Sequence, residues 1–374
     1  MQSFIVERLF DGHRFYRNQA LTIDAGKVVS YDLLTDDVSH LSGTLVPGFI
    51  DVQVNGGGGA LFNADPSLAV IHTITAAHAK FGTTACLPTL ITDELKVMQQ
   101  AATAMAEAVS QGLDGVLGIH FEGPHLSIPK KGVHSANFIR RISDAELAIF
   151  SRSDLGIKIV TLAPENVSVE VIKALIDANV KVCLGHSNAD YSTVKQALAV
   201  GADGFTHLFN AMSAFTAREP GMVGAALECD NSWCGLIVDG HHVHTGAAKL
   251  ALKCKPQGKI MLVTDAMPPV GLSDNSSFEL FGQQVIRQGD RLNASTGELA
   301  GCVLDMAGAV SNAQTMLGLS FAEALRMASL YPAQYLGLND YGHLQLGARA
   351  DMVLLGAEGT VHQTYRAGEL IYTT

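Results

Sequence analysis

The sequence predicts a (β/α)8 barrel of the TIM type, with a small β-sandwich domain built from both ends of the chain. Two observations carry this reading. Eight short, apolar, β-branched segments alternate with helical stretches through the middle of the 374 residues, the pattern of parallel strands buried on both faces. The two ends instead carry β-like runs broken by turn pairs, so they are expected to pair with each other. A doubly wound sheet is the competing arrangement, but no Gly-x-Gly-x-x-Gly follows the first strand of the middle region.

At the start of the chain the β-like runs are residues 3–9, 20–23 and 27–31, with turn pairs at Asp11-Gly12 and Ala25-Gly26. Near the end, residues 342–347, 351–355 and 360–372 read the same way. The small domain is therefore assigned residues 1–46 and 335–374, and the barrel residues 47–334. The eight barrel strands are predicted at 46–52, 83–88, 115–121, 157–162, 180–184, 204–208, 234–238 and 259–263. Asp65-Pro66 caps and opens a helical run through Ile71, Ile74 and Ala77 that stops near Gly82. Thr92 precedes a second run through Leu95, Met98, Ala102 and Met105, ended by Gly112. Further helices are expected at 168–179, 191–200 and 245–253, and alternation around Gly282, Gly289 and Gly297 predicts a β-hairpin insertion near 278–299.

Composition narrows the class of protein. Hydrophobic residues make up 48% and charged residues 16%, which supports a large packed interior and argues against disorder. Twenty-five Lys+Arg against 36 Asp+Glu leave a net charge of −11 and a pI near 5.6. No Lys/Arg run exceeds two residues, so no nucleic-acid partner is expected. No apolar run approaches the roughly 20 residues that span a bilayer, so no membrane partner is expected. The first residues, charged within their apolar stretch, do not read as a signal peptide. The six cysteines, at 86, 183, 229, 234, 254 and 302, form no Cys-x-x-Cys pair and read as free thiols of a reducing compartment. A soluble cytoplasmic protein follows as the expectation.

In such a barrel the chemistry sits where the strands end. Glu122 closes predicted strand three, His186 follows strand five, His207 lies in strand six and Asp265 follows strand eight. Any one of them is more often structural. All four at one end of the barrel point to a shared site. Two imidazoles and one carboxylate are a borderline nitrogen and oxygen set that suits Zn²⁺, with Fe²⁺, Co²⁺, Ni²⁺ and Mn²⁺ as alternatives. Three protein ligands leave a position for water, whose pKa such an ion lowers toward about 7. Asp265 then serves as proton carrier, with helix cap or fourth ligand as its plainer reading.

The motifs Pro47-Gly-Phe-Ile-Asp-Val-Gln-Val-Asn-Gly56, Phe121-Glu-Gly-Pro124, Lys131-Gly-Val-His134, Gly185-His-Ser187, His207-Leu-Phe-Asn-Ala-Met212, Arg218-Glu-Pro-Gly221, Asp239-Gly-His-His242 and Val263-Thr-Asp-Ala266 carry a resemblance. In this order the chain resembles the amidohydrolase superfamily, and within it the deacetylases of amino-sugar phosphates. The resemblance implies that Glu122, His186 and His207 bind the metal and that Asp265 is the catalytic acid and base. Many members carry His-x-His on the first strand for a second ion. Gln53 and Asn55 stand there instead, which implies one divalent ion per subunit and makes both amides candidate substrate contacts.

The implied substrate is N-acetyl-D-glucosamine 6-phosphate, cleaved to D-glucosamine 6-phosphate and acetate, with the galactosamine epimer as the alternative. Its phosphate is expected on Arg218, His242 and the backbone of Asn210 and Ala211. Spacing alone does not separate His242 from His241 and His244, and Arg218 taken by itself reads as a surface charge. Val133, His134, Asp239, Leu299, Ala300 and Gly301 complete the expected contacts, with His134 also stabilising the oxyanion. Many relatives have Ser where this chain has Cys302. A homodimer is implied, because relatives draw some phosphate contacts from a neighbouring subunit.

Overall fold

The middle of the chain forms one eight-stranded parallel sheet in a computed structural model that describes every residue except 33–37, 295–296 and 298. Its strands are Phe49–Val54, Thr83–Ile91, Gly118–Glu122, Ile157–Leu162, Val180–Leu184, Gly204–Phe205, Trp233–Leu236 and Ile260–Leu262, side by side in sequence order. The eighth strand also meets the first. The Asp265 N–H donates to the Gln53 carbonyl at 3.1 Å, and the N–H groups of Asn55 and Gly56 donate to the Ala266 carbonyl at 2.9 Å each. These bonds close the barrel at its mouth.

A side chain completes that seam. The first strand slips register between Asp51 and Val54, which leaves backbone donors without ladder partners. The Asp51 carboxylate, fully buried, accepts the N–H of Gln53 at 3.1 Å and the N–H of Thr264 at 3.4 Å, together with the Thr264 hydroxyl. Burial pushes its carboxyl up to about 7 even against these three donors.

Strands 157–162 and 180–184 form where the sequence puts them. The first strand starts later than predicted because Val46 belongs to another strand, Val38–Pro47, in the sheet built from the chain ends. The chain crosses from one sheet to the other at Gly48, where a Cβ would stand 2.1 Å from Thr84 Oγ1. Apolar residues run unbroken through the crossing, so hydrophobicity does not mark it. The sixth strand is only Gly204–Phe205 because the backbone turns left-handed at His207, with φ of 34°. The first helix, Leu68–Ala79, is capped by Ser67, which accepts the Val70 N–H, instead of by Asp65.

The terminal strands form a seven-stranded sheet, in the order Glu369–Thr373, Val361–Arg366, Met352–Leu355, Val38–Pro47, Gln2–Phe10, Phe15–Asp24 and Lys27–Ser30. Strand period sorts its side chains to two sides. Leu45, Met352 and Leu354 join a cluster with Phe4, Leu21 and Tyr365, while Val46, Val353 and Leu355 join the barrel core. Residues 342–347 form turns where a β-like run was predicted, although Leu344 is buried. Their Gly and polar residues alternate like a strand, but bonds such as Leu344 N–H to the Asp11 carbonyl hold them as a loop.

The insertion after strand eight has three strands, Ser277–Leu280, Gln283–Gln288 and Arg291–Ala294, not two. It packs on Leu61, Ile91 and Met267 at the barrel mouth. Positions 295, 296 and 298 of the predicted hairpin lie outside the described residues. Among the described residues, no helix is long and apolar enough to cross a membrane.

Arg366 ties the terminal sheet to the barrel. Its guanidinium donates to the carbonyls of Thr84 at 2.9 Å, Thr75 at 3.2 Å and Asp114 at 3.3 Å. Arg366→Met keeps the aliphatic length and leaves these carbonyls without their charged donor. We expect a loss of about 2–4 kcal/mol in unfolding free energy, read from urea denaturation; an unchanged midpoint contradicts this role.

Candidate active site

The barrel brings Glu122, His186 and His207 to one point from strand three, the end of strand five and the exit of strand six. Glu122 Oε1 lies 3.1 Å from His186 Nε2 and 2.9 Å from His207 Nε2, and the two nitrogens are 3.0 Å apart. All three side chains are buried. The local backbone is unusual for their residue types. His186, His207 and Asp265 have φ of 47°, 34° and 51°, left-handed conformations that cost a non-glycine residue roughly 1–2 kcal/mol each. They turn each strand end so that its side chain points across the mouth and not along the strand.

The donor set fits a divalent cation. His186 Nδ1 lies 2.9 Å from the Lys130 carbonyl, which can only accept, so in the neutral ring Nδ1 carries the proton and Nε2 presents a lone pair. That lone pair faces a carboxylate oxygen and a second imidazole nitrogen, a repulsive arrangement that a cation relieves. The spacings sit just inside the about 3.3 Å between ligands of a tetrahedral ion with bonds of about 2.0–2.1 Å. Burial alone would raise the Glu122 carboxyl, but the imidazoles bonded to it hold it well below the ordinary range. For His207, burial works against the charged ring, and the Glu122 carboxylate lifts it above its usual value.

Asp265 stands beside this triad, linked to it through an amide. Gln53 Nε2 donates to Glu122 Oε2 and to Asp265 Oδ1, both at 3.2 Å, and Asn55 Nδ2 donates to Asp265 Oδ1 at 2.6 Å. Burial, then the Glu122 charge, pushes the Asp265 carboxyl up to about 6, near the value at which one group both takes and returns a proton at neutral pH.

These side chains open on a cavity of about 210 Å³ lined also by Asn55, Val133, His134, Asn210, Ala211, His242, Leu299 and Gly301. A larger cavity of about 660 Å³ lies between the terminal sheet and helix Met306–Thr315, but Glu122, His186 and His207 do not line it. His134, on the loop after strand three, has a buried side chain. Its Nδ1 takes the Thr92 N–H at 3.4 Å and lies 2.8 Å from the Thr92 hydroxyl. Burial, then the neighbouring His186 ring, hold it well below its ordinary value. A neutral ring that accepts at Nδ1 carries its proton on Nε2.

The three neighbouring histidines separate cleanly. His241 meets the insertion, accepting from Arg291 Nε at 3.0 Å with Asp290 at 2.8 Å. His244 caps helix Thr245–Cys254 by accepting the Gly246 N–H. Only His242 faces the cavity, held from behind by Asp239 Oδ2 at 2.6 Å from its Nδ1. Four expected contacts do not line the cavity. Gln53 and Asp239 stand behind it, Ala300 is buried in the insertion core, and Arg218 is exposed on the loop after strand six. Asn210 lines it but returns its own N–H to the His207 carbonyl at 3.0 Å.

Sequence reading passed over a polar column below the triad. His120 sits two residues before Glu122 on the same strand face. Its Nδ1 lies 3.0 Å from the Val52 carbonyl and its Nε2 2.7 Å from Thr161 Oγ1, which is 2.6 Å from Thr206 Oγ1. Burial lowers this imidazole to about 4, so it is neutral and accepts at Nε2. The His-x-Glu spacing was the available signal; the threonines gave none.

An amidohydrolase family model matches residues 44–371. The N-acetylgalactosamine-6-phosphate deacetylase of Shewanella sp. (strain ANA-3) is 50% identical over 331 residues, 88% of this chain and 84% of that one. The N-acetylglucosamine-6-phosphate deacetylase of Haemophilus influenzae is 35% identical over 313 residues, 83% and 82% of the two chains. The crystal structure of N-acetylglucosamine-6-phosphate deacetylase from Pasteurella multocida superposes with a TM-score of 0.95 at 34% identity, covering all of both chains.

Thr161→Val removes the hydroxyl that donates to His120 while keeping the shape of the side chain. We expect it to lower stability by about 1–3 kcal/mol, the cost of a buried acceptor left unpaired, seen in thermal or urea unfolding with the far-UV spectrum unchanged. Wild-type stability in this variant would remove the column as a support.

Proposed function

The chain belongs to the amidohydrolase family, and from that premise we propose that it hydrolyses the acetamide of an N-acetyl-D-hexosamine 6-phosphate to acetate and the amino-sugar phosphate. The observation that carries this is the buried Glu122, His186 and His207 triad with Asp265 joined to it through Gln53. We assign N-acetyl-D-glucosamine 6-phosphate as substrate. The galactosamine epimer is the second reading, favoured by the 50% identity to a relative bearing that name.

Glu122, His186 and His207 would hold one divalent ion, and we assign it as Zn²⁺ on the mixed nitrogen and oxygen donor set; Fe²⁺, Co²⁺, Ni²⁺ and Mn²⁺ suit the same donors. When bound, such an ion polarises the acetyl carbonyl and lowers the pKa of water toward about 7. The Asp265 carboxylate takes the proton of the attacking water on Oδ2, since Oδ1 accepts from Asn55 and Gln53, and passes it to the amide nitrogen as the carbon–nitrogen bond breaks. Asn55 and Gln53 keep that carboxylate aimed while its charge changes. His134, with its proton on Nε2, donates toward the oxygen that gains charge. Val133, His242, Ala211, Leu299 and Gly301 receive the sugar.

The phosphate needs a stronger donor than this cavity contains. Arg218 lies on an exposed loop beside Phe215, itself 62% exposed. We assign this loop to a homodimer interface that delivers Arg218 to the phosphate in a second copy, where its fork matches phosphate geometry. All six cysteines are free, in keeping with a cytoplasmic enzyme.

The test is acetate release from both 6-phosphates before and after chelation. Activity is expected to vanish with the ion and return on adding Zn²⁺, and the ratio of kcat/KM ranks the epimers. Full turnover after rigorous demetallation would refute the reading. Asp265→Asn is expected to keep one ion per chain and to lose about 10²- to 10⁴-fold in kcat; a variant that retains most of its kcat removes Asp265 as the proton carrier.

A further inference from the structure

Among the described residues, two groups bring three metal-ligating side chains together. One is the triad above. The other is Asp239, His242 and Cys302, whose donor atoms all lie within 4.8 Å of one another, and the deacetylation leaves its thiol unused. We propose that this second group binds a thiophilic divalent cation, Zn²⁺ or Cd²⁺, and that its occupation inhibits the enzyme.

The geometry is that of a cation site occupied by protons. Asp239 Oδ2 receives two of them, from His242 Nδ1 at 2.6 Å and from Cys302 Sγ at 3.2 Å. One cation takes the place of both, binding the carboxylate, the imidazole and the thiolate and leaving a fourth tetrahedral position. A sulfur donor selects Zn²⁺ or Cd²⁺ over Mg²⁺ or Mn²⁺. The site is also fixed in place. Asp239 Oδ1 is held by the N–H groups of His241 and His242 at 2.9 Å each, which aims Oδ2 at the thiol. Cys302 is held on the opposite side, its N–H on the Asp265 carbonyl at 3.1 Å and its carbonyl on the Met267 N–H at 3.0 Å.

Cys302 is buried at 2% exposure and the Asp239 and His242 side chains are 6% and 9% exposed, and the group has entrances on two sides. His242 lines the catalytic cavity, and Asp239 lines a separate cavity of about 370 Å³ beside Arg287 and Asp305. Burial and the Asp239 charge hold the thiol well above its ordinary value, so Cys302 keeps its proton until a cation displaces it. On binding, the thiol proton goes to solvent. The proton that Nδ1 shares with Asp239 Oδ2 leaves that nitrogen and reappears on Nε2, so one proton is released per cation. Nε2, the nitrogen left to the catalytic cavity, changes from acceptor to donor. The inhibition rests on the deacetylase reading; the binding does not.

The experiment uses the enzyme carrying its catalytic ion, with Cys229→Ser and Cys254→Ser removing the two cysteines that are not buried. Titration with Cd²⁺ is expected to add one further equivalent, with a thiolate-to-cadmium charge-transfer band and release of one proton. Acetate release should fall by roughly tenfold, as when the hydrogen bond that Nε2 accepts from a sugar hydroxyl is left unmade. Cys302→Ser should lose the band, the extra equivalent and the inhibition while keeping acetate release within about twofold of its parent. Cys302→Ala, judged on the band alone, replaces it if the serine variant does not fold. A band that survives in either variant, or no equivalent beyond the first in the parent, overturns the site. Binding without loss of acetate release overturns the inhibition. An enzyme inactive on both sugars leaves the band and stoichiometry as the full test of the site.

Discussion

A carboxylate withdrawn from water between two imidazole nitrogens governs this molecule. Glu122 has 2% exposure and its Oε1 lies at 2.9 and 3.1 Å from His207 and His186. Burying such a charge costs several kcal/mol unless partners are fixed in position. The barrel fixes them by ending three strands at one level. The cost of holding His186 and His207 left-handed is offset by what their side chains meet there. Below them, the His120, Thr161 and Thr206 column fills the barrel axis with groups that satisfy one another, so the charged layer rests on a polar floor that is neutral and rigid.

Asp265 is tied to the same carboxylate. One Gln53 amide donates to both Glu122 and Asp265, so a displacement of either is felt by the other. A pair of histidines at positions 53 and 55 would bring in ligands. Two amides bring in donors, which align carboxylates without competing for a cation. The seam beneath follows the same logic, with Asp51 standing in for ladder bonds that the slipped register cannot make.

The barrel was legible in the sequence because strands buried on both faces must be uniformly apolar, and those segments recur eight times with helices between. The same uniformity hid where one sheet hands over to another at Gly48, since Val46 and Phe49 are equally apolar and both buried. Glu122, His186, His207 and Asp265 were legible as polar residues at ends of apolar strands. Asp239 was visible only as part of a motif, because its work is done from behind His242. Thr161 and Thr206 were invisible, as threonine is an ordinary strand residue and its hydroxyl partners come from other strands. Arg218 was named from its motif, but within a single chain it stays at the surface.

The shared wall between the two cores sets an order of events at the ribosome. Val38–Pro47 is translated early, directly before the first barrel strand, yet its partner Met352–Leu355 emerges only after the last barrel helix. Until then Gln2–Phe10 pairs with one edge of Val38–Pro47, while the Thr44–Pro47 edge that later takes Met352–Leu355 has its backbone groups without a strand partner. The nascent barrel therefore carries a sticky flank throughout its own assembly. The chain is sealed by its final segments, like a drawstring pulled last, and a polypeptide released early would leave that flank open to aggregation or chaperone capture.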